Sequence, residues 1–381
     1  MRGTAYILAG EPSGDRLASH LMRSQQKNYQ FHGIGGPLMH ELGLQSHRDY
    51  KALQVIGLFD ALKNYMTLRQ LLKALVDEVC ALRPDVIFTI DAKAFSLRFA
   101  RAVKQRMARE GWHAPLIHMV APTIWAYGAG RKTSFEQVFD GMLCLFPMED
   151  GAFDADKIVT KFIGHPAAYQ SAIGRPKKRS KPLNLLLLPG SRTREIETLL
   201  PEFLEAVAIM RQNQEIFLTI ATIDAQTSLI THMLGTENSA SLVVGDKALK
   251  DSFASHDIMM AASGTVTLEA ALASIPGIVA YQLNPIIAFV MRRRFQHADP
   301  VLANIILGQK AYPFFFQDQA RAKPLALALQ KLSDDKGADK ALGVQSTQLR
   351  KSLQADGLTF EEAIAKALDE ILSTQKKGTA S

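Results

Sequence analysis

Short apolar runs recur along this chain with amphipathic helical stretches between them, and that alternation restricts the fold more than any other feature of the sequence. One series occupies residues 6–9, 31–34, 86–90, 116–120 and 142–146. A second occupies residues 185–188, 216–221, 242–244, 258–261 and 278–281. Parallel strands need a crossover, usually a helix, so each series predicts a doubly wound parallel α/β sheet. Between the series, the segment Gly174-Arg175-Pro176-Lys177-Lys178-Arg179-Ser180-Lys181-Pro182 is basic and bounded by prolines, as interdomain linkers often are. The expected division is a first Rossmann-like domain over 1–166, a linker over 167–182 and a second Rossmann-like domain over 183–345. A helical segment, 346–372, is expected to pack back toward the first domain, ahead of a disordered tail over 373–381. A chain of 381 residues suits two such cores better than one.

Composition excludes several classes of function. With 47% hydrophobic residues the chain can bury sizeable cores, so disorder is not expected. The only cysteines, Cys80 and Cys144, lie in apolar stretches, which argues for a reducing compartment and against a disulfide framework. No cluster has metal-ligand spacing, so neither a metal nor another cofactor is expected. No apolar run reaches the length of a bilayer span. The formal charge of +7 favours an anionic partner: a nucleotide, a phosphorylated sugar, an acidic membrane or a nucleic acid. Nucleic acid is set aside, because the basic residues fall in a linker and short clusters with no stacking aromatics among them.

In a doubly wound sheet the ligand crevice borders the carboxyl ends of the strands, so the residues just after each run are the site candidates. After the first run comes Ala9-Gly10-Glu11-Pro12-Ser13-Gly14-Asp15, in which Glu11, expected to face inward, and Ser13 are the first site candidates, the alternative being that Ser13 or Asp15 caps the following helix. After 86–90 comes Asp91, a carboxylate placed either to take a proton from an attacking hydroxyl or to cap its helix. The turn after 116–120 carries Pro122, Trp125 and Tyr127, rings suited to floor a sugar site or to fill the core. In the second half, Gly190-Ser191-Arg192 opens a strongly amphipathic helix, offering free N–H groups and a guanidinium to a diphosphate. Ser263-Gly264-Thr265 opens another, and Glu269 one turn on can accept from a ribose diol or simply favour the helix dipole. His165 reads as a structural histidine. The stripe Leu58, Phe59, Leu62, Tyr65, Met66, Leu68, Leu72, Leu75 and Val79, and the cluster Arg292-Arg293-Arg294, suit either a buried face or an acidic membrane surface.

Taken together these motifs, with Gly33-Ile34-Gly35-Gly36-Pro37, Val55-Ile56-Gly57-Leu58 and Phe162-Ile163-Gly164-His165-Pro166, resemble the lipid-A-disaccharide synthases over nearly the whole chain. The resemblance implies a GT-B fold, two Rossmann-like domains with parallel sheets facing a central cleft. It implies an inverting glycosyltransferase that moves 2,3-diacylglucosamine from UDP-2,3-diacylglucosamine to the 6-hydroxyl of 2,3-diacylglucosamine 1-phosphate. The products are UDP and the β-1′,6-linked precursor of lipid A, the anchor of lipopolysaccharide in Gram-negative bacteria. By analogy Asp91 is the general base and Glu11 a second catalytic residue near the acceptor. Ser13, Gly14 and Trp125 fall on the substrate side, and Gly190, Ser191, Arg192, Ser263, Gly264, Thr265, Glu269 and Asn304 hold the UDP donor. The implied location is cytoplasmic, peripheral to the inner membrane, with a homodimer among the implied assemblies.

The sequence departs from the family after Asp91-Ala92, where Lys93-Ala94-Phe95-Ser96 stands in place of the usual Pro-Asp-Phe-Asn, and at Leu302-Ala303-Asn304, where Leu-Pro-Asn is usual. Other readings of the same residues are a different GT-B enzyme on a UDP-sugar, such as a 2-epimerase or muramyl-type transferase, and a paralogue that binds lipid or nucleotide without turnover.

Overall fold

The computed structural model describes residues 2–46, 65–122, 129–171, 179, 181–235, 240–283, 288, 300–355 and 357–378. The chain divides into two compact units, Met1–Tyr169 with Leu353–Ser381, and Gln170–Ser352.

The first unit is built on a six-stranded parallel sheet: β1 (Gly3–Ala9), β2 (Tyr29–Ile34), β3 (Val86–Ile90), β4 (Leu116–Met119), β5 (Gly141–Cys144) and β6 (Val159–Phe162), in the order β2-β1-β3-β4-β5-β6. Every residue of β3, β4 and β5 is buried, as strands covered on both faces by helices must be. The sixth strand, β6, lies outside the five expected runs. Its sequence Val-Thr-Lys-Phe is half-buried throughout, because it forms an edge, and so it carries no apolar run to read.

The second unit repeats the plan with β7 (Leu183–Leu188), β8 (Ile216–Thr222), β9 (Ser241–Val244), β10 (Ile258–Ala262), β11 (Gly277–Tyr281) and β12 (Phe314–Phe316), ordered β12-β11-β10-β7-β8-β9. Here too the unexpected strand, β12, is a short edge. In each sheet the winding reverses once, between β1 and β3 and between β7 and β10. Those reversals are where doubly wound folds open a ligand crevice.

The C-terminal region differs from expectation in two ways. Helix Ala338–Ser352 falls in the second unit, where Ser346 Oγ donates to Leu272 O at 2.9 Å and Arg350 donates to the same carbonyl at 3.1 Å. The expected segment 346–372 is thus split. The last helix, Phe360–Gly378, runs well into the stretch expected to be a disordered tail. It packs on helix Pro12–Gln25 through His20 Nδ1 and Glu361 Oε1, 2.7 Å apart, while Ile371 fills the space left by Gly141. Burial of that apolar face is what carries the helix through the polar residues of its last turns. Half of the linker (172–178 and 180), residues 58–64 of the apolar stripe, Val55 to Leu58 and Arg292 to Arg294 lie outside the described residues, as do residues 379–381.

Candidate active site

In the first unit, β1 and β3 lie in register with Ala9 opposite Ile90, so Glu11 and Asp91 emerge at the same sheet edge, at the winding reversal. Asp91 and Ala92 both hold left-handed backbone, φ 45° and 43°. Neither is glycine, and such residues cost roughly 1–2 kcal/mol each. The turn is secured by Asp91 N donating to Met119 O at 3.0 Å and Ser96 Oγ donating to Asp91 O at 2.7 Å. Ala92, with no side-chain cap, begins the helix Lys93–Glu110. Asp91 therefore does not spend its carboxylate on capping. That carboxylate is 28% exposed, and Lys93 Nζ stands 3.4 Å from its Oδ1.

Beneath this edge are two buried titratable groups. His118 bonds Thr89 at 2.7 Å, and burial, with Lys93 nearby, pushes its pKa down to about 3. Glu149 accepts from Leu145 N and Phe146 N at 3.1 and 3.2 Å, and burial nevertheless drives its carboxyl up to about 7. His165 is stacked on Phe146 and held near 4 by burial, which makes it a structural residue.

The opening loop corrects two expectations. Glu11 is exposed rather than inward-facing, and it is the N-cap position of helix Pro12–Gln25 without a side-chain cap bond. Asp15, not Glu11, is the buried carboxylate. It caps a different helix, accepting from Leu38 N and Met39 N at 3.1 and 3.2 Å at the start of Pro37–Glu41. Gly36 lies so close that a Cβ there would sit 2.5 Å from the Asp15 carboxylate, which explains the glycine. Ser13 is exposed, and Gly14 is buried over the ends of β1 and β3. Trp125 lies outside the described residues.

In the second unit a cavity of about 250 Å³ opens at the carboxyl ends of β7, β8, β9 and β10. Gly190, Ser191, Ser263, Gly264, Thr265 and Glu269 all line it. Among the described residues, the N–H groups of Gly190, Ser191, Gly264 and Thr265 have no hydrogen-bond partner. Gly190 is at φ +110°, and a Cβ there would meet Glu195 Oε2 at 2.7 Å, so only glycine fits. Gln226 Nε2 holds this loop by donating to Ser191 O at 3.2 Å. The lining includes three carboxylates, Glu195, Asp246 and Glu269, and no lysine or arginine. Arg192, largely exposed, stands 3.2 Å from Glu195. Among the described residues no three His, Cys, Asp or Glu side chains gather to hold a metal ion. An anion here would be met by backbone N–H groups and Arg192.

Asn304 has a different task from the one expected. It is buried, its amide nitrogen donates to Tyr312 O at 2.8 Å, and its oxygen accepts from Ala311 N and Tyr312 N. It shapes that loop and does not line the cavity.

A family model described as lipid-A-disaccharide synthetase (LpxB) matches residues 5–368. The chain belongs to this family. Relatives named lipid-A-disaccharide synthase include one from Paramagnetospirillum magneticum, 32% identical with 98% of each chain covered, and one from Rhodospirillum centenum, 33% identical over 87% of this chain and 86% of that one. Solved structures with the same fold include a Staphylococcus aureus MnaA–UDP co-structure, TM-score 0.62 at 12% identity, covering 98% of this chain and 97% of that one. Acinetobacter baumannii MurG gives TM-score 0.55 at 15% identity, covering 98% and 100%. The fold is that of the GT-B glycosyltransferases, and membership of the family makes the chain a hexosyltransferase, for which a UDP-sugar and a lipid acceptor are the implied substrates.

Sequence reading missed Thr222, Gln226, Glu195 and the pairing of Lys93 with Asp91. Thr222 carried a usable signal: like Asp91, it is a polar residue ending an apolar strand. Gln226 and Glu195 carried none, since their roles depend on which loop folds against them.

Proposed function

We propose that the chain forms the β-1′,6-linked lipid A disaccharide from UDP-2,3-diacylglucosamine and 2,3-diacylglucosamine 1-phosphate, with UDP held in the cavity of the second unit. The observation that carries this reading is that cavity: two loops with unpartnered N–H groups converge in it with Glu269. The N–H groups suit a diphosphate and the carboxylate suits a ribose diol. Asp91 serves as base at the edge of the first unit, with Glu11 beside it on the acceptor side.

In the reaction the acceptor's 6-oxygen attacks the anomeric carbon of the donor from the face opposite UDP. Its proton passes to Asp91, the bond from the anomeric carbon to the phosphate oxygen breaks, and configuration inverts. The charge left on UDP is met by the N–H groups of Gly190, Ser191, Gly264 and Thr265 and by Arg192, once Arg192 leaves Glu195 for the phosphates. Lys93 holds the Asp91 carboxylate in place from 3.4 Å.

Peripheral attachment to the cytoplasmic face of the inner membrane, and a homodimer, belong to the same proposal. The acyl chains of both substrates support the membrane contact, and among the described residues no helix is long and apolar enough to cross a bilayer. Mass spectrometry of the product from the two lipid substrates tests the reading. The disaccharide 1-phosphate should form with wild-type protein and fall by at least a hundredfold with Asp91→Asn, while UDP binding stays unchanged. UDP binding with no product from any acceptor would instead favour a binding-only protein.

A further inference from the structure

We propose that Lys93 reads the phosphate of the acceptor: as the acceptor binds, its phosphate draws the Lys93 ammonium off Asp91 and so frees the carboxylate oxygen for the 6-hydroxyl. The inference rests on the reaction proposed above and deepens it, giving the acceptor's phosphate a partner and the base a switch.

The departures of this chain from its family surround the base. Where Pro-Asp-Phe-Asn is usual, the chain has Lys93-Ala94-Phe95-Ser96, one carboxylate fewer and one ammonium more within a helical turn of Asp91. Two of the replacements touch Asp91: Ser96 Oγ donates to its carbonyl at 2.7 Å, and Lys93 Nζ stands 3.4 Å from its Oδ1. A lysine in the first turn of helix Lys93–Glu110 opposes the helix dipole, so local stability does not account for it.

The Lys93–Asp91 pair is loose. At 3.4 Å it is longer than a good hydrogen bond, its side chains are 34% and 28% exposed, and ion pairs so open to water contribute little. Two other titratable groups feel the Lys93 charge, His118 and Glu149. His118 is buried and neutral. Glu149 is buried, already accepts from Leu145 N and Phe146 N, and is raised to about 7, so below that pH it offers no anion. Among the described residues, Asp91 is then the charged partner of Lys93 that an incoming anion must displace.

The acceptor carries such an anion to the right place. In a glucosamine 1-phosphate, carbons 1 and 5 flank the same ring oxygen, so the phosphate and the 6-hydroxyl hang on one edge of the sugar. A cation beside the base for the 6-hydroxyl is therefore also beside the phosphate. A phosphate monoester carries about two negative charges against one on a carboxylate, and the flexible lysine stem can swing from one to the other.

The test measures turnover of wild type, Lys93→Met and Lys93→Arg at pH 6.5 with two acceptors, 2,3-diacylglucosamine 1-phosphate and the same sugar without phosphate. Lys93→Met should cut kcat/KM for the phosphorylated acceptor roughly tenfold to a hundredfold further than for the other, as loss of a charge-assisted hydrogen bond does. Lys93→Arg keeps the charge and should hold the wild-type preference within about threefold. In calorimetry, Asp91→Asn should tighten binding of the phosphorylated acceptor about two- to fivefold, and less so in a Lys93→Met background, where no lysine remains to be released. Equal losses with both acceptors, or no loss with either, overturn the assignment. UDP affinity should be the same in Lys93→Met as in wild type; a fall would put Lys93 on the donor's diphosphate and overturn it too. If wild type joins both acceptors equally well, the proposed reaction stands and this inference alone fails. If wild type forms no disaccharide from either, the reaction fails and takes the inference with it.

Discussion

Replacing Glu149 by Gln should change how stability depends on pH, by an amount the structure sets. The Glu149 carboxyl is buried under the loop that follows β5. Although two N–H groups and the nearby Lys93 favour its charged form, burial wins and moves it from 4.5 up to about 7. A carboxyl whose folded pKa is raised stabilises the fold fully below the unfolded value and loses that contribution as pH rises through the folded one. The window is pH 4.5 to 7. At about 1.4 kcal/mol for each tenfold change in acidity, the total is about 3 kcal/mol. Glutamine keeps an oxygen for Leu145 N and Phe146 N and carries no charge, so Glu149→Gln should gain about 3 kcal/mol on wild type between pH 4.5 and 8. His118 and His165, with pKa values pushed down to about 3 and 4, produce the opposite slope below pH 6.5. They are common to both proteins and cancel in the difference. Both tryptophans, Trp112 and Trp125, belong to the first unit, so urea unfolding followed by tryptophan fluorescence reports on that unit. A difference between the two proteins that stays flat from pH 5 to 8 would refute the argument.

Lys93→Met should raise the Glu149 titration further and steepen the same pH dependence, visible in the same fluorescence experiment. Asp15→Ala should destabilise the first unit by about 2 kcal/mol, because the part-buried Leu38 N–H and the buried Met39 N–H at the start of Pro37–Glu41 lose their acceptor; urea midpoints measure it. Arg192→Ala should weaken UDP binding by roughly tenfold with little change in unfolding temperature, since the side chain is mostly exposed; calorimetry with UDP decides it.

Central strands could be read from the sequence because burial on both faces writes a continuous apolar run, as in Val86–Ile90. The edges β6 and β12 could not, since one open side admits Thr160 and Lys161 or leaves three half-buried phenylalanines. The glycine and serine loops were readable because a strand, a tight turn and a helix start are local events. Asp91 could be placed at a strand end, but its freedom from capping depends on Ala92 taking the N-cap position. Glu11 and Asp15 were exchanged because both stand in one helical turn, and only Gly36, distant in sequence, decides which one is covered. Asn304 misled for the same reason: the residues that occupy its amide lie seven and eight positions downstream.

The return of helix Phe360–Gly378 to the first unit has a consequence for synthesis. Gly141, the face of helix Pro12–Gln25 and the Lys161 side chain all wait for partners encoded some two hundred residues after Tyr169, in Phe360–Gly378. At about 5–20 residues per second, the ribosome makes those partners on the order of ten to forty seconds after Tyr169. The second unit, contiguous from Gln170 to Ser352, is therefore complete first, although it starts later. Until then the first unit exposes an apolar strip to solvent. A nascent chain stalled before Phe360 should be the form of this protein that chaperones hold most firmly.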